Sequence, residues 1–277
     1  MSVTIRTEHG AAGRWGGRLT RRPLTDHDPA IDALAPAVRR KLSGIWLSRA
    51  AMERRVADSF TVIAAALRRR NAPQDLIQLA DRAIDDEFRH TKLSRVVASR
   101  FAGRELPTPQ LLKLQVPAHA GASPELRDIL HVVGQCILNE TTATAFLETC
   151  LAHATGALAK HALKELLSDE VDHGRVGWAY LASTDAATRR AVGCWLLPMA
   201  YLNLRIWKEE SPLDPDHVPE LSAHGAPPGE AIHAALVDAL ETLIVPGLQQ
   251  LQVPTSAVEA WLAAGAFTDR APTEYVD

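Results

Sequence analysis

The chain has 277 residues, 47% of them hydrophobic and 5% aromatic, enough to bury a substantial core in one large domain or two modest ones. Ala and Leu outweigh Val, Ile and Tyr, the composition of packed helices rather than sheets, so an all-helical fold is expected. A net charge of −3 and an isoelectric point near 6.4 give no field that would attract nucleic acid or an anionic membrane, and a small or neutral partner is expected instead.

Residues 1–34 are rich in Gly, Arg, Asp and Pro without sustained periodicity and read as an irregular arm. Within it, Met1–Thr20 lacks the apolar core that a signal peptide needs. Residues 35–277 read as a single helical domain, with a four-helix core over 35–182 and a helical extension over 183–277. The first helix spans Pro36–Arg69 and stops before Asn71-Ala72-Pro73, and the second spans Gln74–Phe101 and ends at Ala102-Gly103. Glu105–Ala122 contains Pro107, Pro109, Pro117 and Gly121, which cannot sustain one helix but can cross a bundle. Ser123-Pro124-Glu125 is a helix start, with Ser as cap, Pro in the first turn and an acid near the positive end of the dipole. That third helix runs to Thr155-Gly156, and the fourth covers Ala157–Ala182. Ser183-Thr184-Asp185 then opens a stretch carrying Pro198, Pro212–Pro228 is a loop, and helices follow over Gly229–Leu251 and Thr255–Ala266.

No segment is expected to reach the roughly 18 apolar residues that a membrane span requires, so a soluble, cytoplasmic protein is expected. Cys136, Cys150 and Cys194 match no zinc or disulfide spacing and read as reduced. The order helix, short turn, helix, long crossover, helix, short turn, helix is that of a four-helix bundle with one crossover.

Polar groups interrupt the apolar stripes of these helices at matching places. In the second helix the stripe runs Leu76, Ala80, Ala83, Glu87, His90, Ser94, Val97, Phe101, and in the fourth Ala159, Leu163, Leu166, Glu170, His173, Gly177, Tyr180. The first helix places Glu53 between Trp46 and Phe60, and the third places Glu140 between Val133 and Leu147. Buried carboxylates need a counter-charge. Four carboxylates and two imidazoles suit a pair of divalent first-row ions better than calcium, which prefers oxygen alone, or structural zinc, which closes at four ligands. Spacing supports convergence, because residues of an antiparallel hairpin face each other when the turn lies midway between them. Glu53 and Glu87 have their midpoint at Arg70, and Glu140 and Glu170 at Thr155, both at the expected turns. With 16 Glu and 11 His, random placement yields a match to Glu-x-x-His about every other chain of this length. A third match, Glu230-Ala-Ile-His233, starts a helix without a symmetric partner and reads as a chance occurrence.

The sequences Asp86-Glu87-Phe88-Arg89-His90 and Asp169-Glu170-Val171-Asp172-His173 resemble the duplicated signature of the ferritin-like dimetal-carboxylate proteins. These include rubrerythrins, the small subunit of ribonucleotide reductase, bacterial multicomponent monooxygenases and the p-aminobenzoate N-oxygenase group. The resemblance covers about residues 40–182. It implies a ferritin-like bundle with Glu53, Glu87, His90, Glu140, Glu170 and His173 as ligands of two iron ions, or of a manganese and iron pair. It also implies that Asp86 and Asp169 each hydrogen-bond a ligand histidine from the facing helix, fixing its tautomer. Thr144, one turn after Glu140, resembles the threonine on the oxygen-facing side in the monooxygenases. Leu166 stands where the N-oxygenases have an extra histidine, and Tyr180 lies about 10 Å of helical rise beyond His173, too far for a radical tyrosine beside the metals.

The function expected from these residues is a diiron oxidase or oxygenase that activates dioxygen and oxidises a small organic substrate, supplied by an electron donor, with a homodimer as the expected assembly. Thr141, Thr144 and Ala145 around Glu140 leave room for that substrate. The alternatives are an iron-handling ferroxidase or storage protein, and a structural bundle with a vestigial site. The long helical extension exceeds what a minimal storage subunit needs and favours a shaped pocket.

Overall fold

The computed structural model describes Leu24 and residues 28–109, 113–209 and 217–265. Among them every regular element is helical, as the composition implies. Most of the arm, residues 1–23 and 25–27, lies outside the described residues. Its end forms a helical turn, α1 (Pro29–Asp32), where irregular chain was expected; Asp28 caps it and Pro29 supplies the first position.

The long helix α2 (Pro36–Arg69) and its neighbour α3 (Gln74–Ala102) form an antiparallel hairpin with the most extensive packing in the molecule. The sequence dictates its turn. Asn71 takes φ 51°, a left-handed conformation that Asn tolerates, the Ala72 amide bonds to the Leu67 carbonyl and the Asn71 amide to the Arg68 carbonyl. Pro73 then blocks continuation and opens α3. Gly103, also at positive φ, closes α3, and the described part of 105–122 is non-helical, in keeping with its prolines.

The third long helix departs from expectation in its interior. It begins as α4 (Pro124–Val132), capped by the Ser123 hydroxyl, widens into a π-helical segment over Val133–Asn139, and returns to α-helix as α5 (Glu140–His153). A π segment inserts extra backbone into one turn and shifts the side chains that follow. The π segment packs closely on α6 (Ala157–Ser183), where a Cβ on Gly177 would come within 2.7 Å of the Cys136 Cβ. Glycine is required at that crossing.

Helix α2 packs on α3, α3 on α6, and α6 on α5, so α3 and α6 lie side by side with α2 and α5 flanking them. Trp46, Phe60, Ile63 and Leu67 of α2, Leu93 and Phe101 of α3, and Leu163 of α6 are fully buried between them. Each such side chain contributes about 1.5–3 kcal/mol by leaving water.

Beyond Ser183 the expected single stretch divides into α7 (Ala186–Gly193) and α8 (Leu196–Glu209). Pro198 cannot continue a helix through Cys194, but in the first turn of α8 its missing amide costs nothing. The expected loop contains α9 (Val218–Ala223), whose Ala223 carbonyl accepts the Thr155 and Gly156 amides at 2.9 and 2.8 Å and so pins the α5–α6 turn. The next helix is α10 (Gly229–Ala239), a π segment over Leu240–Ile244 and α11 (Val245–Gln250), and α12 (Ser256–Ala263) follows.

One expectation is corrected here. The continuous helix over Gly229–Gln250 is, by length and composition, apolar enough to cross a membrane, although the core helix of a bundle passes the same test. Its apolar residues include Ile232, Leu236, Leu240 and Ile244, which are buried, and α10 packs on α5.

Candidate metal centre

The midpoints read from the sequence bring the six residues to one level of the structure. Glu87, His90, Glu140, Glu170 and His173 are each at most 3% exposed, and Glu53 is half-buried. They form two groups that could each hold a metal ion, Glu53 with Glu87 and His90, and Glu87 with Glu140, Glu170 and His173, the ligand atoms of each group lying within 4.8 Å of one another. Glu87 belongs to both.

The imidazoles turn their Nδ1 atoms inward. His173 Nδ1 lies 3.0 Å from Glu87 Oε1, 3.3 Å from Glu170 Oε2 and 4.0 Å from Glu140 Oε2. His90 Nδ1 lies 3.6 Å from Glu87 Oε2 and 3.7 Å from Glu170 Oε1. Close as they are, these groups do not satisfy one another: both Glu87 oxygens and His90 Nδ1 are buried without a well-directed hydrogen-bond partner. Orphaned acceptors at the centre of a bundle are costly, and a cation with two carboxylate and imidazole sets around it removes that cost. The donor set therefore fits a pair of divalent ions.

The electrostatics agree. Burial pushes the Glu53 and Glu140 carboxyls well above their ordinary range, and the neighbouring acids add to it. Burial would also raise Glu87, but the two imidazoles closing on it hold it well below. Burial alone would lower His90, yet its Asp169 and Glu87 partners raise it to about 10, and His173 is raised in the same way by Glu170, Asp86 and Glu87. Without a metal, protons balance the charge that a metal would otherwise carry.

The outer ring is asymmetric. His90 Nε2 lies 3.2 Å from Asp169 Oδ2, and the same carboxylate accepts from Arg89, whose Nη1 is 3.8 Å from Glu165. His173 Nε2 lies 3.8 Å from Asp86 and has no hydrogen bond. Of the two expected hydrogen bonds from an aspartate to a facing histidine, the structure thus forms the one to Asp169, while Asp86 faces His173 across a longer gap. On the third helix, Gln135 Nε2 donates to Glu140 Oε1 at 2.5 Å from within the π segment, with Asn139 Nδ2 at 3.5 Å. Neither Gln135 nor Asn139 stands out in the sequence, because only the π turn rotates them onto Glu140. Thr144 sits one turn after Glu140 as expected, but its hydroxyl donates to the Glu140 carbonyl at 2.9 Å. The third motif behaves as a chance occurrence, since Glu230 and His233 join neither metal-binding group.

A cavity of about 270 Å³ opens against the centre, with Glu53, Glu140 and Glu170 in its wall. The rest of the wall is largely apolar, from Met52 and Val56 of α2, Ala143, Phe146 and Leu147 of α5, and Ile232 of α10. Ala143 lines it, where Thr141, Thr144 and Ala145 were expected to make the room. Arg49, one turn before Glu53, also lines it and was missed by sequence reasoning. Its signal was present, a charged residue at a stripe position between Trp46 and Glu53. Comparison with protein-family models, with curated proteins and with solved structures found no match, so the geometry of the site carries the functional reading.

Proposed function

We propose that the chain is a dimetal-carboxylate protein of ferritin-like fold. On this reading it holds two iron ions on Glu53, Glu87, His90, Glu140, Glu170 and His173 and uses dioxygen to oxidise a small organic substrate. The observation that carries the reading is the pair of ligand groups sharing Glu87, three of whose acids stand in the wall of a partly open, mainly apolar cavity. Two reduced ions held there would supply electrons for the reduction of dioxygen, and an electron donor would restore them.

The chain's own residues do the remaining work. With its Nε2 proton directed to Asp169, His90 would ligate an incoming ion through Nδ1, any proton there being released to solvent. Gln135 holds one oxygen of Glu140 and leaves the other to ligate. Glu53, half-buried and without such an anchor among the described residues, is the ligand free to shift as coordination positions open and close. The cavity, with its mainly apolar wall, has room for a molecule larger than dioxygen, which a storage protein does not need. The proposed part of Thr144 on the oxygen-facing side rests on its position one turn from Glu140 alone.

Oxygen uptake by the ferrous protein separates the classes. The proposal expects consumption to stop after the two bound irons per chain are oxidised and to resume with a reductant. Continued uptake with tens of irons deposited per chain would establish iron storage in its place.

A further inference from the structure

We propose that the substrate of this site is an amphipathic monocarboxylic acid and that Arg49 binds its carboxylate. The inference rests on the oxidase or oxygenase reading and names the substrate class for it.

Arg49 is only 8% exposed and sits in the cavity wall. Its guanidinium is held in place by stacking, with Cζ 4.6 Å from the Trp46 ring centroid and 5.1 Å from that of Phe146. Nη2 donates to the Gly225 carbonyl at 2.6 Å and lies 3.5 Å from Cys150 Sγ. Nη1 has no partner. Among the described residues no carboxylate forms an ion pair with it, although Glu53 is only one turn along α2.

A buried guanidinium without a counter-ion is unfavourable, because lost hydration is not replaced. Its retention in the wall of a ligand-sized cavity points to a ligand that supplies the counter-charge. Arginine suits a carboxylate in particular, since its planar fork offers parallel donors, and its stacking on two rings leaves little freedom to lose on binding. The apolar side chains of Ile45, Met52, Val56, Phe146, Leu147 and Ile232 line the same cavity and match a hydrocarbon or aryl body. Gly225 takes φ 88°, a conformation that L side chains rarely adopt, and a Cβ there would also press on the Trp46 ring at 3.3 Å. The tight backbone turn fixes Nη2, and the fork is thereby oriented. Four residues along α2 separate Arg49 from Glu53, about 6 Å of rise, so a carboxylate held at Arg49 places carbons a few bonds away beside the metal ligands.

Calorimetric titration with octanoate and with octanamide, nearly equal in shape but differing in charge, tests the proposal. It is performed on the full chain both as purified and after chelator treatment. Octanoate should bind at least tenfold tighter than octanamide in both states, and Arg49→Gln should erase that preference by weakening octanoate far more than octanamide. Ala143→Phe, which adds bulk to the cavity wall and leaves Arg49 in place, should abolish octanoate binding, and it provides the test should the Arg49 variant fail to fold. Equal affinity for acid and amide, or an acid preference that survives Arg49→Gln but vanishes on chelation, would overturn the proposal and leave the dimetal reading intact. An Arg49-dependent preference in a chain that never carries metal would do the reverse.

Discussion

The two Glu-x-x-His motifs are alike in sequence and unlike in support. On α3, His90 has Asp169 at 3.2 Å, and Arg89 and Glu165 extend the network outward. On α6, His173 has Asp86 3.8 Å away; Arg89, which donates to Asp169, also reaches Asp86 but only at 3.5 Å, and Asp172, at the position equivalent to Arg89, turns outward to Arg82 and Arg175. The acids of the flanking helices show the opposite bias: Glu140, beside His173, is held by Gln135, whereas among the described residues no amide side chain holds Glu53, beside His90. Each half of the centre thus combines one fixed ligand with one loosely held ligand. The duplication specifies which residues meet, and single differences beside the motif decide how firmly each is held. Two ions in such a centre would be inequivalent, one with a rigid imidazole and a mobile carboxylate, the other with the reverse.

The largest effect expected from this arrangement is at the shared residue. Glu87→Ala should remove both ions, whereas Glu53→Ala should cost one, and metal analysis of the purified variants reads the difference. Retention of both ions in Glu87→Ala would break the picture of two groups joined at Glu87.

A second buried histidine pair sharpens the contrast between acid-supported and unsupported imidazoles. His131 has the Ser59 hydroxyl as its partner at 3.2 Å, and burial pushes its pKa down from 6.5 to about 4, opposite to His90. A depressed folded value means stability that is present above the unfolded value and lost as pH falls from 6.5 through 4. The linkage is worth about 3 kcal/mol in total. Urea unfolding at pH 7 and pH 4 should therefore show His131→Gln losing less stability on acidification than wild type. An identical loss in both would mean that His131 is not held neutral.

Smaller again is the difference between the outer aspartates. Asp169→Asn should weaken metal affinity about ten- to a hundredfold, the usual scale for a carboxylate orienting a ligand histidine. Asp86→Asn, acting across a longer gap, should weaken it less. Equal effects in competition with a chelator would remove the asymmetry argued above.

Much of the core was legible before any coordinates because its signals are local. The Asn-Ala-Pro break, the Ser-Pro-Glu start and the proline-rich crossover set the helix ends, and equal spacing about each turn aligned Glu53 with Glu87 and Glu140 with Glu170. The π segment was not legible, since nothing in the residues of Val133–Asn139 marks a widened turn, and its close packing against Gly177 joins segments distant in sequence. Gln135 as the anchor of Glu140 was hidden for the same reason. Arg89 was read only as part of a motif, because its partners Asp169 and Glu165 come from another helix. Arg49 lay in plain view on the α2 stripe, but its significance depends on Gly225 and Phe146, distant in sequence. In the extension, Pro198 was read as lying inside one helical stretch when it falls in the first turn of a separate helix, and the apolar length of Gly229–Gln250 was underestimated.

The most direct test of the central claim is anomalous diffraction at the iron edge from crystals of the chain grown with ferrous iron. The account predicts two peaks about 3.5–4 Å apart, both within ligand distance of Glu87, one also against Glu53 and His90 and the other against Glu140, Glu170 and His173. A single peak, or none among these six residues at full iron supply, would contradict it.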